Sequence, residues 1–235
     1  MQDRQLFIMI KYGDHIEILM ITKNEEAAVK KVICEIKNLD SRIAILIVDS
    51  SSDNTAKIAT EDGARVMTQK PPRGYGPAMH LAFINSLRDI LITMDCDDTY
   101  PVNKIELFSK KIIEDNYDVV DGNRLSIKPT SMPIINYLAN YFFALFSSCL
   151  FFKRIKDLHS GMRAYKKEVL KKIPYKVEGI SLPVELILWP IRLGLKVCIV
   201  DIEYKERIGK SKLEPIKAAY WTLIRILRAR FLKNN

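Results

Sequence analysis

The stretch Ile90-Leu91-Ile92-Thr93-Met94-Asp95-Cys96-Asp97-Asp98-Thr99-Tyr100-Pro101 decides how this chain is read. Its apolar first half is typical of a strand buried on both faces. Its second half sets three aspartates within four positions. Crowded carboxylates repel one another and cost stability unless a cation or a functional gain offsets them. A helix cap before Pro101, from Asp98 or Thr99, accounts for one of them and not for three. Asp95 and Asp97, two apart at a strand end, point the same way. Such a pair suits a hard cation, Mg²⁺ or Mn²⁺, bridging a diphosphate leaving group.

The same punctuation recurs on either side. IEILMI (16–21), IAILIV (43–48), ARVMT (64–68), ILITM (90–94) and YDVVDG (117–122) read as strands. Helical patterns follow: one from a cap at Thr22–Glu25 to about Leu39, then helices near Ala56, over 74–87 and over 101–115, with Pro101 in the last one's first turn. Strand and helix alternate five times, which predicts an α/β fold with a mainly parallel sheet covered on both faces. Polar clusters follow four of these strands, at Asn24–Glu26, Asp49–Thr55, Asp95–Asp98 and Asp121–Arg124. They should converge on the ligand-binding rim.

The second half of the chain has another character. No charged residue lies between Lys128 and Lys153, and the apolar segment 133–152 approaches the ~20 residues that span a bilayer. A single span would put the rest of the chain across the membrane from the first five strands. Asn136, Asn140, Ser147 and Ser148 also interrupt it. A helix lying on the domain or in the membrane interface is the better reading. Residues 214–235 read as a basic amphipathic helix, with Ile216, Tyr220, Leu223, Ile224, Leu227 and Phe231 on one face. Lys217, Arg225 and Arg228 lie on another. Residues 1–213 then form the main domain.

The totals agree. The 235 residues, 48% of them hydrophobic, can bury one sizeable core. The net charge is +9, and the segment from Glu203 onward holds nine Lys/Arg against three Asp/Glu. That balance points to an anionic partner. Cys34, Cys96, Cys149 and Cys198 show no metal-ligand spacing, and the first residues lack the pattern of a secretory leader, so a cytoplasmic setting is expected. No Walker A or GxGxxG sequence supports an NTPase or a dinucleotide oxidoreductase. The basic charge lacks base-stacking motifs, so no nucleic-acid partner is expected.

Asp95-x-Asp97-x-Thr99 also fits the DxDxT nucleophile motif of the haloacid dehalogenase phosphatases, with Asp95 attacking phosphorus. Those enzymes carry it on the first strand, whereas here it follows the fourth. Their late acidic pair would have to be Asp201 and Glu203, inside a predicted strand. The ordered set Thr22-Lys23-Asn24-Glu25, Val48 to Thr55, Gly74-Tyr75-Gly76 and Met94-Asp95-Cys96-Asp97 instead resembles the family 2 glycosyltransferases of GT-A fold. Asp157-Leu158-His159-Ser160-Gly161-Met162-Arg163 and Arg207-Ile208-Gly209-Lys210-Ser211-Lys212-Leu213 are similar to the branch that moves sugars onto polyprenyl phosphates, the dolichyl-phosphate mannose and glucose synthases.

The resemblance implies a nucleotide-sugar donor, a dolichyl or polyprenyl phosphate acceptor, and inversion at the sugar. It implies donor contacts from Asn24, Glu25, Asp49, Ser51, Asp95, Arg207 and Lys212, and Mg²⁺ or Mn²⁺ on Asp95 and Asp97. Asp97, Arg124 and Arg163 become the catalytic residues, and Arg124, Arg163 and Ser160 the acceptor-phosphate site. Many mannosyl-transfer members have glutamine where this chain has Thr99, which leans the donor toward the UDP-glucose type rather than GDP-mannose. A lipid phosphate, with a second pKa near ~6, is already a nucleophile at neutral pH. Transfer to it needs a cationic cradle and no general base. Transfer to a glycan hydroxyl would need a carboxylate base, and a non-catalytic binding module would need none of these groups. The acceptor's phosphate lies at a membrane surface, so peripheral attachment to the cytoplasmic face is expected.

Overall fold

The computed structural model describes residues 11–130, 132–208 and 214–232. In chain order the elements are β1 (Ile16–Thr22), α1 (Val29–Leu39), β2 (Ala44–Asp49), α2 (Thr55–Glu61), β3 (Arg65–Thr68), α3 (Tyr75–Asn85), β4 (Ile90–Thr93), α4 (Ile105–Ile113) and β5 (Val119–Asn123). There follow α5 (Ile134–Phe151), β6 (Arg163–Lys166), α6 (Lys167–Leu170), α7 (Leu182–Arg192), β7 (Val197–Asp201) and α8 (Pro215–Phe231). The strands form one sheet of order β3-β2-β1-β4-β6-β5-β7. All pairings are parallel except those of β6, which runs antiparallel between β4 and β5.

The apolar runs are continuous because both faces of the pleat are covered. Ile16, Ile18 and Met20 of β1 face the core under α1, α2 and α4, while Leu19 faces the core under α3 and α7. In β2, Ile45 and Ile47 alternate with Leu46 and Val48 in the same way.

The first helix begins later than expected. Thr22 ends β1 and donates its hydroxyl proton to Asp49 at 2.7 Å, so it caps nothing. The chain turns through Asn24, at φ 55°, a left-handed conformation that asparagine tolerates, and α1 starts only at Val29. Similarly, neither Asp98 nor Thr99 caps the turn after Pro101.

Helix α5 leaves the sheet after β5 and returns to it as β6, and those two strands are hydrogen-bonded neighbours. Both ends of the helix therefore sit on one side of any membrane, which removes the spanning reading. Its 18-residue apolar window is nevertheless only 11% buried. Ile134, Ile135, Leu138, Tyr141, Phe142 and Leu145 form one exposed stripe.

Helix α8 packs on α7 and α5 rather than forming a separate appendage. Its orientation turns part of the basic face inward and leaves most of the apolar face outside. Ala218, Thr222, Arg225, Ile226 and Ala229 point inward, while Ile216, Tyr220, Leu223, Leu227 and Phe231 are exposed. Arg225 is 1% exposed because the loop beneath needs its donors. It bonds the carbonyls of Lys176, Glu178 and Ile180 and pairs with buried Glu185 at 3.4 Å. Arg228 reaches the same carboxylate at 3.0 Å. Two of the three cations on the helix's basic face are thus engaged with Glu185.

Candidate active site

The C-terminal ends of β1, β2, β4, β5 and β7 share one rim. Because β6 is antiparallel, its first residue, Arg163, joins them there, opposite Thr93 and Asp121. Sequence and topology therefore bring the polar clusters together as expected, and the three aspartates after β4 separate into three environments.

Asp98 has left the rim. It pairs with Lys31 of α1 at 2.5 Å. Asp97 is 2% exposed and accepts from the Thr99 hydroxyl at 2.6 Å and the Thr99 amide at 3.2 Å. Its other oxygen meets Arg207 at 3.2 Å, and the same guanidinium reaches Glu25 at 2.8 Å. Thr99 is fully buried in that bond and is not placed as a ligand. Asp95 differs: its carboxylate accepts no hydrogen bond among the described residues. It lies over Gly161, where a Cβ would come within 2.9 Å of Oδ2 and 3.0 Å of the Tyr100 hydroxyl. Only glycine lets the 157–163 loop approach so closely. Burial first, then the charge of Asp97, push the Asp95 carboxyl up to about 7, against the pull of Arg124 and Arg207.

Beside this carboxylate Arg124, which follows β5, is held against the 157–163 loop. Arg124 grips Asp157 through two parallel bonds of 2.7 and 3.0 Å, and its guanidinium stacks 5.2 Å from the Tyr204 ring. Its Nη1 makes no hydrogen bond among the described residues. The Arg124 charge is the main attraction holding Asp157 down to about 2, despite full burial. Asp157 also accepts from the His159 amide at 2.9 Å, and the His159 ring contacts Thr222 of α8 at 2.8 Å. Burial lowers the His159 ring to about 4, so it stays neutral at physiological pH.

Arg163 is placed otherwise than expected. It is 1% exposed, bonded to Asp121 at 2.5 Å, to Leu158 O at 3.1 Å and Asp157 O at 3.4 Å, and to Pro183 O. All three of its nitrogens are bonded within the fold, so it holds the loop and the start of α7 rather than offering a fork to an acceptor phosphate. Ser160 is likewise 1% exposed, its hydroxyl turned to Met162 O at 3.4 Å, and offers no phosphate contact.

The donor-side turns are tied to one another. Asp49, with no exposed surface, accepts from Thr22, from the Ser51 amide at 3.0 Å and from the Ser51 hydroxyl at 2.5 Å. The Ser51 hydroxyl in turn receives the Asn24 amide at 2.7 Å. Asp49 and Ser51 thus shape the loops, while Asn24 and Glu25 lie nearer the surface. Asp53 accepts from the Thr55 amide at 3.0 Å, as a capping residue would. Lys212 lies outside the described residues. Sequence reasoning missed Asp157, Tyr100 and Tyr204 as site partners. Asp157 was legible as an acidic residue in a matched motif, whereas the tyrosines carried no signal.

Comparisons with known proteins agree with this geometry. A mannosyl-3-phosphoglycerate synthase from Rubrobacter xylanophilus superposes with a TM-score of 0.73 at 21% identity, over 95% of this chain and 77% of that one. A glucosyl-3-phosphoglycerate synthase from Mycobacterium tuberculosis, solved with Mn²⁺, UDP-glucose and phosphoglyceric acid, gives 0.73 at 20% identity, over 96% and 82%. These establish the GT-A fold. A dolichyl-phosphate hexose transferase of Haloferax volcanii is 39% identical over 203 residues, 86% of this chain and 88% of that one. A dolichyl-phosphate beta-glucosyltransferase of Dictyostelium discoideum is 25% identical over 80% of this chain and 62% of that one. The family model described as glycosyl transferase family 2 matches residues 17–174, and the chain belongs to that family.

Proposed function

We propose that this glycosyltransferase moves a hexose from a nucleotide-sugar to a dolichyl or polyprenyl phosphate, with inversion, at the cytoplasmic face of a membrane. The likeness to the Haloferax volcanii transferase carries the reading. The rim supports it. Transfer to a hydroxyl needs a base, yet each neighbouring described carboxylate except Asp95 is already engaged: Asp97 and Glu25 by Arg207, Asp121 by Arg163, Asp157 by Arg124, Glu185 by Arg225 and Arg228. A phosphate acceptor brings its own negative oxygen and needs none.

In this scheme an acceptor phosphate oxygen forms the new bond to the anomeric carbon. The bond to the diphosphate breaks with its electron pair on the departing nucleoside diphosphate. Arg124, with Nη1 uncommitted, attracts the acceptor phosphate. Arg207, braced between Glu25 and Asp97, faces the donor side. A divalent cation fits Asp95, a hard oxygen ligand with no hydrogen-bonding partner among the described residues, and would neutralise charge on the leaving diphosphate. No three His, Cys, Asp or Glu side chains among the described residues form a complete cage, so donor phosphates and water would supply other ligands. The UDP-glucose-type donor remains the favoured one: Thr99 is bonded to Asp97 and offers no glutamine-like ligand.

Purified protein should convert radiolabelled nucleotide-sugar and polyprenyl phosphate to an organic-soluble product, and a chelator should stop it. A UDP- and GDP-sugar panel that labels no lipid would refute the proposal. Cation affinity should rise with pH up to about 7, because below that pH a cation must displace the Asp95 proton. A Mn²⁺ titration that is flat between about pH 6 and about pH 8 would remove Asp95 from the metal site.

The exposed stripes of neighbouring α5 and α8 give the membrane contact. Exposed apolar surface of this extent on adjacent helices marks an interaction site. Replacing Phe142 and Leu223, 61% and 42% exposed, by glutamine should weaken vesicle binding markedly. Stability should stay within about 0.5 kcal/mol. Unchanged flotation with vesicles would contradict this part of the reading.

A further inference from the structure

A groove of about 240 Å³ opens beside edge strand β7, where Val197 and Ile199 face Ile187 and Ile191 of α7. None of Asp95, Asp97, Arg124 or Arg207 lines it. Gly194, Leu195 and Asp121 also line it, and another wall is the segment Lys153-Arg154-Ile155-Lys156, which follows α5 after Phe152. The lining is thus aliphatic on one side and cationic on the other. Lys156 pairs with Asp201 at 3.0 Å. Lys153 and Arg154 make no side-chain hydrogen bond or salt bridge among the described residues, although Arg154 lies near enough to help lower the pKa of Asp201. The one acidic side chain in the lining, Asp121, is held by Arg163.

We propose that this groove seats an anionic phospholipid of the bilayer, its phosphate among Lys153, Arg154 and Lys156 and its first chain carbons along the aliphatic wall. The volume is about eight times a water's share of the liquid, room for a headgroup's phosphate and a few carbons. A free phosphate would leave the aliphatic wall unused, and a neutral lipid would leave the cations unanswered. Position argues for the bilayer as the source. The exposed stripe of α5 ends at Phe152, 84% exposed, and the cationic segment begins at the next residue. A basic cluster flanking a membrane-seated helix meets anionic headgroups. The inference rests on the reading of the α5 and α8 stripes as the membrane face.

Calorimetry with short-chain lipids below their micelle concentration tests the groove without a bilayer. Dihexanoyl phosphatidylglycerol should bind saturably, at least about tenfold tighter than dihexanoyl phosphatidylcholine or inorganic phosphate. Two variants should each lose that preference. Lys153→Gln with Arg154→Gln removes the charge from exposed positions. Ile191→Trp fills the groove and keeps the charge. Both should still bind phosphatidylcholine vesicles but lose the increment given by phosphatidylglycerol. Parent protein that binds the short-chain lipid and ignores all vesicles would uphold the groove and sink the membrane face. Three results would overturn the proposal: no preference over phosphatidylcholine, equal binding of inorganic phosphate, or a preference that survives both variants.

Discussion

An Asp95→Asn variant should lose about a thousandfold in transfer rate while melting no lower than the parent without divalent cation. Both halves follow from one observation. Asp95 is the rim carboxylate with no hydrogen-bonding partner among the described residues, and burial beside Asp97 raises its pKa from 3.8 to about 7. The fold tolerates that charge rather than using it. An acid raised in the folded state withdraws stability as pH climbs from its unfolded to its folded pKa. The variant's gain in melting temperature should therefore build up between about pH 4 and about 7 and be complete above that. Added Mn²⁺ should raise the melting temperature of the parent and not of the variant. Near-normal turnover in a folded Asn variant would refute the role of Asp95. A large drop in melting temperature would show that its charge is structural.

Arg163→Lys should be destabilising by about 3–5 kcal/mol, with activity lost through the fold. The guanidinium answers Asp121 and three backbone carbonyls at once, with 1% of its surface exposed. An ammonium is a compact point charge and cannot reach all four, leaving buried acceptors unpaired. Chemical denaturation should show the loss directly. Lipid transfer and background donor hydrolysis should fall together. A Lys variant of parental stability that failed only in lipid transfer would return Arg163 to the acceptor phosphate.

The contrast between these two residues marks how far the sequence reaches. The strands β2, β4 and β5, which carry or lead into Asp49, Asp95 and Asp121, were legible because a doubly covered sheet needs unbroken apolar runs and its ligands gather at the strand ends. β6 was not, since Arg163–Lys166 is short and carries no apolar run; its place between β4 and β5 is set by pairing across the chain. That insertion turns Arg163 inward. α8 misled for a related reason. Its apolar stripe invites burial, yet the loop carbonyls of Lys176, Glu178 and Ile180 draw Arg225 inside and leave the stripe outside. Which side of an amphipathic helix is covered depends on what lies beneath it.

Under the proposed function the acceptor arrives already ionised, so that transfer needs no general base. Purified protein, divalent cation and one labelled nucleotide-sugar should be offered polyprenyl phosphate and the polyprenol of the same chain length, in the same detergent. Labelled lipid should form from the phosphate alone, with the alcohol at background. Comparable transfer to the alcohol would mean that a rim carboxylate, Asp95 or one that leaves its arginine, acts as base, and would contradict the proposed function.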